Sequence, residues 1–271
     1  MALPFSVQRT IILAPHPDDD VIAAGGLIQR VLAALGDVHV IFVTDGENNP
    51  WPQRFTERKF FLEAGDRAKW GAMRRREALC SLSRLGVDER SATFLAFPDQ
   101  GVAALARSGD TRLRDELRAI VEKIQPTLIV SPSSFDLHAD HRAIAYFAHS
   151  AAPAATIATY VVHGEGPAQR LKCRVELGER ERQRKREAIE CHVSQLALSR
   201  DRFLSYARQT ESFYAAEHDL VHVESAAREW ATSFLHSMRV LFGAYPTAAT
   251  DSGAQPAADV APNVSESHSS S

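Results

Sequence analysis

The stretch that most constrains this chain is TIILAPHPDDDVIAAGG, residues 10–26. Thr10 to Ala14 is a short apolar run of the kind a buried strand needs. Pro15 and Pro17 stop it and stiffen a tight loop. His16, Asp18, Asp19 and Asp20 are crowded into that loop, and Val21 to Leu35 reads as a helix with Gly25 and Gly26 in its second turn. An imidazole and three carboxylates therefore meet at the carboxyl end of a first strand, where open α/β sheets bind their ligands. Adjacent acids repel one another strongly unless something positive lies between them. A bound cation answers that, and mixed His and Asp ligation suits zinc.

A matching cluster lies far downstream. Leu128 to Ser131 is another apolar run, closed by Pro132, and the loop after it reads SSFDLHADHRA. His138, Asp140 and His141 repeat the pattern of strand, loop, then His and Asp at a helix start. His138 and His141 are three apart, so both can face one side of a helical turn. One element supplying His and Asp and a distant one supplying His make a three-ligand site with a position open to water. That is the catalytic rather than the structural zinc arrangement.

PHPDD followed by a distant HxDH resembles the PIG-L/LmbE-like zinc deacetylases, which remove an N-acyl group from amino sugars. Further matches follow in order: TDGE at Thr44 to Glu47, RRREA at Arg74 to Ala78, FPDQG at Phe97 to Gly101, and KREAIECHVSQ at Lys185 to Gln195. The likeness covers residues 8–215. Asp20 stands where the family usually has glutamate, and Ala139 where it often has proline; neither position is among the ligands that the resemblance implies. Those ligands are His16, Asp19 and His141, with zinc as the cofactor and Fe2+ as another divalent ion the set would take. Asp18, the carboxylate not spent on metal, is then the general base. A protonated His138 would face the tetrahedral oxyanion, with Asp140 beside it to keep it cationic. Arg74 aligns with the arginine of the family's RxxE pattern, which implies substrate contact; an ion pair with Glu77 or another acid is the alternative. Asp99 falls where the family borders its active site, or else makes an Asx turn. Two further substrate contacts come from the residues themselves. Trp51 can stack on a sugar ring or anchor its loop, and His163 is one more imzidazole-bearing strand end, after the run Thr156 to Val162.

Strands and helices alternate along the chain. Strands are expected at Val38–Thr44, Ala92–Ala96, 128–131 and Thr156–Val162, and helices at Thr56–Ala64, Ala68–Leu85, Asp110–Gln125 and Gly178–Leu198. Residues 46–55 (GENNPWPQRF) read as a long loop. The expected fold is α/β, a Rossmann-like three-layer sandwich with a mostly parallel central sheet. Residues 1–243 form the catalytic domain, including an amphipathic helix over Glu224–Phe242 that packs on its own domain or on a second copy in a homo-oligomer. Residues 244–271, rich in Ala, Pro and Ser, read as a disordered tail.

Composition narrows the partners. Net charge is −3, which gives no reason to expect nucleic acid. No stretch reaches the length of a membrane span, and MALPFSVQRT lacks a basic region followed by an apolar core. The expectation is a soluble cytoplasmic enzyme acting on a small molecule or glycoconjugate. Cys80, Cys173 and Cys191 lack CxxC spacing and read as small buried hydrophobes rather than a disulfide framework. Three other readings stand beside the deacetylase. One is an amidase of a thiol-sugar conjugate with the same zinc core. The second is a metal-binding protein without catalysis, which would need neither Asp18 nor His138. The third is a nucleotide binder, weakened by the absence of GxGxxG after the first strand.

Overall fold

The structure is a computed structural model that describes residues 8–216. The helix expected over Glu224–Phe242, the tail from 244 and the domain limit at 243 lie outside the described residues.

The apolar run after Gln8 becomes β1 (Arg9–Ala14), buried along nearly its whole length. It is followed by β2 (Asp37–Thr44), β3 (Ala92–Phe97), β4 (Leu128–Pro132), β5 (Ile157–Tyr160), β6 (Leu171–Glu176) and β7 (Thr210–Ala215). They form a seven-stranded sheet in the order β3-β2-β1-β4-β5-β7-β6. The first five strands pair in parallel. β7 runs antiparallel to both of its neighbours. The helices are α1 (Asp19–Ala33), α2 (Pro50–Glu57), α3 (Ala64–Leu85), α4 (Val102–Ser108), α5 (Arg112–Ile124), α6 (Ala139–Ala151), α7 (Glu179–Glu190) and α8 (Val193–Leu204).

Alternation along the strands divides the core in two. Ile12, Ala14, Val40, Phe42 and Val130 face α1, α3, α7 and α8. Ile11, Leu13, Ile41, Val43 and Ile129 face α4, α5 and α6. The result is the expected three-layer sandwich. β1 lies between β2 and β4, so the strand order reverses there. The loops leaving β1 and β4 open side by side at this switch point, the place where doubly wound sheets hold ligands.

The structure departs from the sequence expectations in four places. Pro50 starts α2 inside the expected long loop, because proline suits the first turn of a helix. That helix ends at Glu57 with Arg58 in the left-handed region, so no helix spans Thr56–Ala64. The charged helix expected over Gly178–Leu198 is two, α7 and α8, broken at Cys191 and His192. β6, β7 and α4 are not among the expected elements, although LKCRVE in β6 alternates apolar and polar residues along its whole length.

Lys185, from the KREAIECHVSQ match, is a packing residue. It is buried, and its Nζ donates to Glu211 Oε1 (2.6 Å) and to the Ile22 carbonyl (2.8 Å). Glu211 on β7 accepts the backbone N–H groups of Gly26 and Leu27 in α1. Gly26 is needed there, since a Cβ would come within 2.6 Å of Leu177 Cδ1. The antiparallel edge is thus tied to the helix that leads out of the first loop. Among the described residues, no helix is long and apolar enough to cross a membrane.

The cysteines correct an expectation. Cys80 on α3 and Cys191 at the end of α7 form a disulfide across Cα atoms 5.9 Å apart, while Cys173 is free. Spacing in sequence hides such a pair because packing of α3 on α7 brings it together. A cross-link between residues 111 apart restricts the unfolded chain. Cys80→Ser is therefore expected to lower the unfolding free energy by about 2–4 kcal/mol. Urea denaturation under non-reducing conditions measures this, and an unchanged midpoint would show that the cross-link adds nothing.

Candidate metal centre and active site

The loop after β1 is held before any ligand is considered. The amides of Asp18 and Asp19 turn back onto the His16 carbonyl. Thr44, at the end of β2, donates from both N–H and Oγ1 to the Pro15 carbonyl (3.0 and 2.9 Å). α1 then starts at Asp19, which puts acids in its first turn where the helix dipole favours them. The loop after β4 is held in the same way. Ser133 N–H donates to the Tyr160 carbonyl, and His138 caps α6 by accepting the Asp140 N–H at Nδ1 (3.3 Å).

These two loops bring the predicted ligands together. Asp19 Oδ2 lies 3.0 Å from His16 Nδ1 and 3.2 Å from His141 Nε2. One potential ligand atom from each of the three residues falls within a 4.8 Å group. Asp19 and His141 are buried and His16 nearly so. The His141 nitrogens approach their acidic neighbours without aligned hydrogen bonds. Two imidazole nitrogens and one carboxylate oxygen around a common point, with an under-satisfied buried histidine among them, fit a divalent ion of the zinc class.

The neighbouring acids divide in character. Burial would raise the Asp19 pKa, but His141 and His16 together hold it well below the usual carboxylate range. Burial prevails at Asp18 and pushes its carboxyl up to about 6, against the pull of Arg74. Burial takes Asp20, whose oxygens have no side-chain partner among the described residues, up to about 8. Burial would lower both histidines, yet the acids beside them raise His16 well above its ordinary value and His141 to about 10.

Arg74 is placed differently from a substrate-facing arginine. It is buried on α3, and its guanidinium donates to the Asp18 carboxylate (3.0 Å), the Pro17 carbonyl (3.1 Å) and the Gly46 carbonyl (3.0 Å). Gly46, with φ +63°, leaves the room, since a Cβ there would overlap Arg74 Nη1. The alternative of an ion pair with another acid describes this geometry, and the acid is Asp18. Glu77, one turn on, instead binds the N–H and Oγ of Ser194 at the start of α8.

The remaining candidates fall into place around this centre. Asp99, buried at the exit of β3, lies 3.2 Å from His16 Nε2 and accepts the Asn48 N–H. His138 stands edge-on to His16 with centroids 4.9 Å apart, and His163 lies 5.5 Å from His138 and 5.1 Å from His141. Burial and the surrounding imidazoles push His138 well below its ordinary pKa. Its Nδ1 accepts a backbone N–H, so the geometry describes a neutral ring rather than the protonated one expected. Asp140 lies within the group of His16 and His138, but its Oδ1 accepts the Ala103 N–H, tying α6 to α4, and burial raises its own pKa. Trp51 sits in the first turn of α2 with the Arg54 guanidinium 5.4 Å above its ring.

Two further buried residues stand here: Asp136, which the sequence reading does not single out, and His192 of the KREAIECHVSQ match. Asp136 is buried, with Oδ2 3.1 Å from His141 Nδ1, and it also accepts the N–H groups of His138, Val162 and His163. Its signal was position alone, five residues before His141 in the same strand-end loop. His192 is buried with neither ring nitrogen bonded among the described residues, and burial drives its pKa down to about 3.

Residues 11–152, a little over half of the chain, match the family model described as PIG-L: GlcNAc-PI de-N-acetylase. A 1D-myo-inositol 2-acetamido-2-deoxy-alpha-D-glucopyranoside deacetylase of Rhodococcus jostii (strain RHA1) is 31% identical over 173 residues, covering 59% of this chain and 58% of that protein. The chain thus spans less than two thirds of the length of that curated relative. Among solved structures, an N,N'-diacetylchitobiose deacetylase from Pyrococcus horikoshii aligns with TM-score 0.60 at 22% identity, covering 76% of this chain and 82% of its own. A 4-carboxy-2-hydroxymuconate hydratase from Pseudomonas putida aligns with TM-score 0.58 at 16% identity, covering 79% and 97%. At such identities the structures speak for the fold alone.

The Arg74–Asp18 contact yields a stability test. Arg74→Gln leaves Asp18 buried without its charged partner, and is expected to cost about 3 kcal/mol, the low end for a broken buried pair because Asp18 can take up a proton. Adding Asp18→Asn should recover part of the loss. Urea denaturation of the two single variants and the double variant measures the coupling, and strictly additive losses would show that the pair is not coupled.

Proposed function

Since this chain belongs to the PIG-L, GlcNAc-PI de-N-acetylase family, we propose that it is a hydrolase that removes the N-acetyl group of an N-acetylglucosamine-type sugar or its conjugate, with zinc held by His16, Asp19 and His141. Fe2+ is the other ion that this donor set would accept. One observation carries the reading: Asp18, a buried carboxyl outside the ligand group, is held beside it by Arg74. A protein that only stores metal has no use for such a carboxyl. Bound zinc supplies a positive centre that acidifies water and polarises a carbonyl.

The chain's own residues do the rest. Asp18 takes the proton of the water that adds to the amide carbonyl carbon, and a carboxyl near pKa 6 is suited to holding and returning it. His138 keeps Nδ1 on the Asp140 N–H, so its Nε2–H is the hydrogen that can meet the oxyanion. When the carbon–nitrogen bond breaks, Asp18 returns its proton to the amine, and acetate and a free amino sugar leave. His163 beside His138, and Trp51 on α2, are assigned to substrate contact. Arg74 spends its bonds within the protein and is assigned to holding Asp18 in place.

The test separates base from ligand. Asp18→Asn keeps shape and removes basicity, so zinc should stay stoichiometric while turnover falls roughly 10²–10⁴-fold. Asp19→Ala should lose zinc first and activity as a consequence. Zinc content and acetate release from N-acetylglucosamine and N,N'-diacetylchitobiose are read on the same preparations. If Asp18→Asn came out free of metal while Asp19→Ala kept its zinc, the two assignments would be exchanged.

A further inference from the structure

Each imidazole of the proposed centre faces two acids, one on each nitrogen. His16 has Asp19 Oδ2 at 3.0 Å from Nδ1 and Asp99 Oδ1 at 3.2 Å from Nε2. His141 has Asp19 Oδ2 at 3.2 Å from Nε2 and Asp136 Oδ2 at 3.1 Å from Nδ1. Asp19 is common to both, so it marks the inner side, and Asp99 and Asp136 mark the outer side. A neutral imidazole carries one N–H and one lone pair, and only the lone pair can bind a metal. The nitrogen that faces a fixed carboxylate keeps the hydrogen, and the opposite nitrogen is left for the ion.

We propose that Asp99 and Asp136 are positioning residues, each holding the outer nitrogen of one histidine so that His16 offers Nδ1 and His141 offers Nε2 to the metal. This rests on the zinc reading given above.

Both outer acids are fixed independently of the histidines they face. Asp99 accepts the Asn48 N–H at 2.9 Å, while its own N–H donates to Glu47 Oε1 at 2.9 Å. Asp136 accepts the His138 N–H at 2.9 Å on Oδ1, and those of Val162 and His163 at 2.8 and 3.1 Å on Oδ2. Asp99 is 5% exposed and Asp136 1%, so water has little access to take their place. The Asp136–His141 contact lies off the hydrogen-bond line. Contacts of this kind commonly tighten only when the site is filled. Asp136 also gathers the loop after β4 and the exit of β5 onto one carboxylate, so the third imidazole, His163, is placed by the group that orients His141.

The experiment has two readouts besides activity. The first is zinc affinity by competition with a chromophoric chelator, on the full chain and on Asp99→Asn, Asp136→Asn and Asp45→Asn. Asp45 is paired with Arg75 and touches neither histidine in this scheme. Asp99→Asn and Asp136→Asn are expected to bind zinc roughly 10–100-fold more weakly, and Asp45→Asn as tightly as the parent. The second is nitrogen NMR of the zinc-loaded parent chain, which needs no variant to fold. It should show His16 protonated at Nε2 and His141 at Nδ1. Unchanged affinity in both Asp99→Asn and Asp136→Asn, with lowered melting temperatures alone, would make the acids merely structural and overturn the proposal. So would the opposite tautomer on either histidine. A parent chain that binds no zinc would instead overturn the metal reading itself.

Discussion

A single carboxylate oxygen, Asp19 Oδ2, sits between His16 Nδ1 and His141 Nε2, and the arrangement of the sheet is what allows that meeting. The two histidines, His16 in the loop after β1 and His141 in the first turn of α6, are far apart in sequence and meet because β4 lies directly beside β1. The register Thr10↔Leu128, Ile11↔Ile129, Ile12↔Val130 brings both strands to their ends at the same level. Beyond those ends no further ladder exists for the backbone, so the loops must satisfy their own groups. They do so through Thr44, Tyr160 and the turn at His16. Fixed loops over a rigid sheet are what a buried charged cluster needs, because ions taken out of water are tolerated only where partners are held in place.

That cluster separates two chemically identical side chains. Asp18 and Asp19 are adjacent and both buried, yet one faces two imidazoles and the other a single guanidinium. The first is drawn far down and the second is left near 6. Acid and base assignments in one site usually arise in this way, from environments that push like groups apart. The chain turns sharply between His16 and Asp19, where the amides of Asp18 and Asp19 both reach back to the His16 carbonyl, and neighbouring carboxylates come to face different partners. Composition alone leaves the two interchangeable, and only the surroundings of each decide.

How much of this was legible in the sequence depended on whether a signal was local. β1, β2 and β4 are apolar runs with proline or turn residues at their ends, and they were read to within a residue or two. His16, His138, His141 and the three acids Asp18, Asp19 and Asp20 stand out because imidazoles and acids at strand ends are chemically conspicuous, and the family resemblance alone singles out Asp19 among the acids. β6 carries a local signal, since Leu171, Cys173 and Val175 alternate with Lys172, Arg174 and Glu176, but three such pairs are too short a run to stand out. β7 buries Glu211 together with Phe213, so its inner face is not apolar throughout and its alternation is blurred. The break between α7 and α8 is hidden because its support comes from a distant element. Glu77, from another helix, takes the Ser194 N–H, and that exchange has no local trace. Asp136 looks like any loop aspartate until His141 and the amides of His138, Val162 and His163 close around it. The role expected of Asp140, holding a charged His138, failed to anticipate that its carboxylate would be used on Ala103 instead.

The helix α3 shows why the site is stiffer than its loops suggest. Arg74, Glu77 and Cys80 follow one another at intervals of three, and so lie along one side of the helix. Arg74 fixes Asp18, Glu77 fixes the start of α8, and Cys80 is bonded to Cys191 at the end of α7. The carboxyl proposed as the base is thus anchored not to its own loop but to a 22-residue helix. That helix is in turn locked to the pair carrying Lys185 and His192. Lys185 closes the circuit by binding Glu211 and the Ile22 carbonyl, four residues after Asp18 in the chain. Groups whose supports are packed helices hold their geometry better than groups that depend on loop conformation. The RRREA and KREAIECHVSQ stretches therefore belong to the framework of the candidate site, although neither supplies one of the proposed metal ligands.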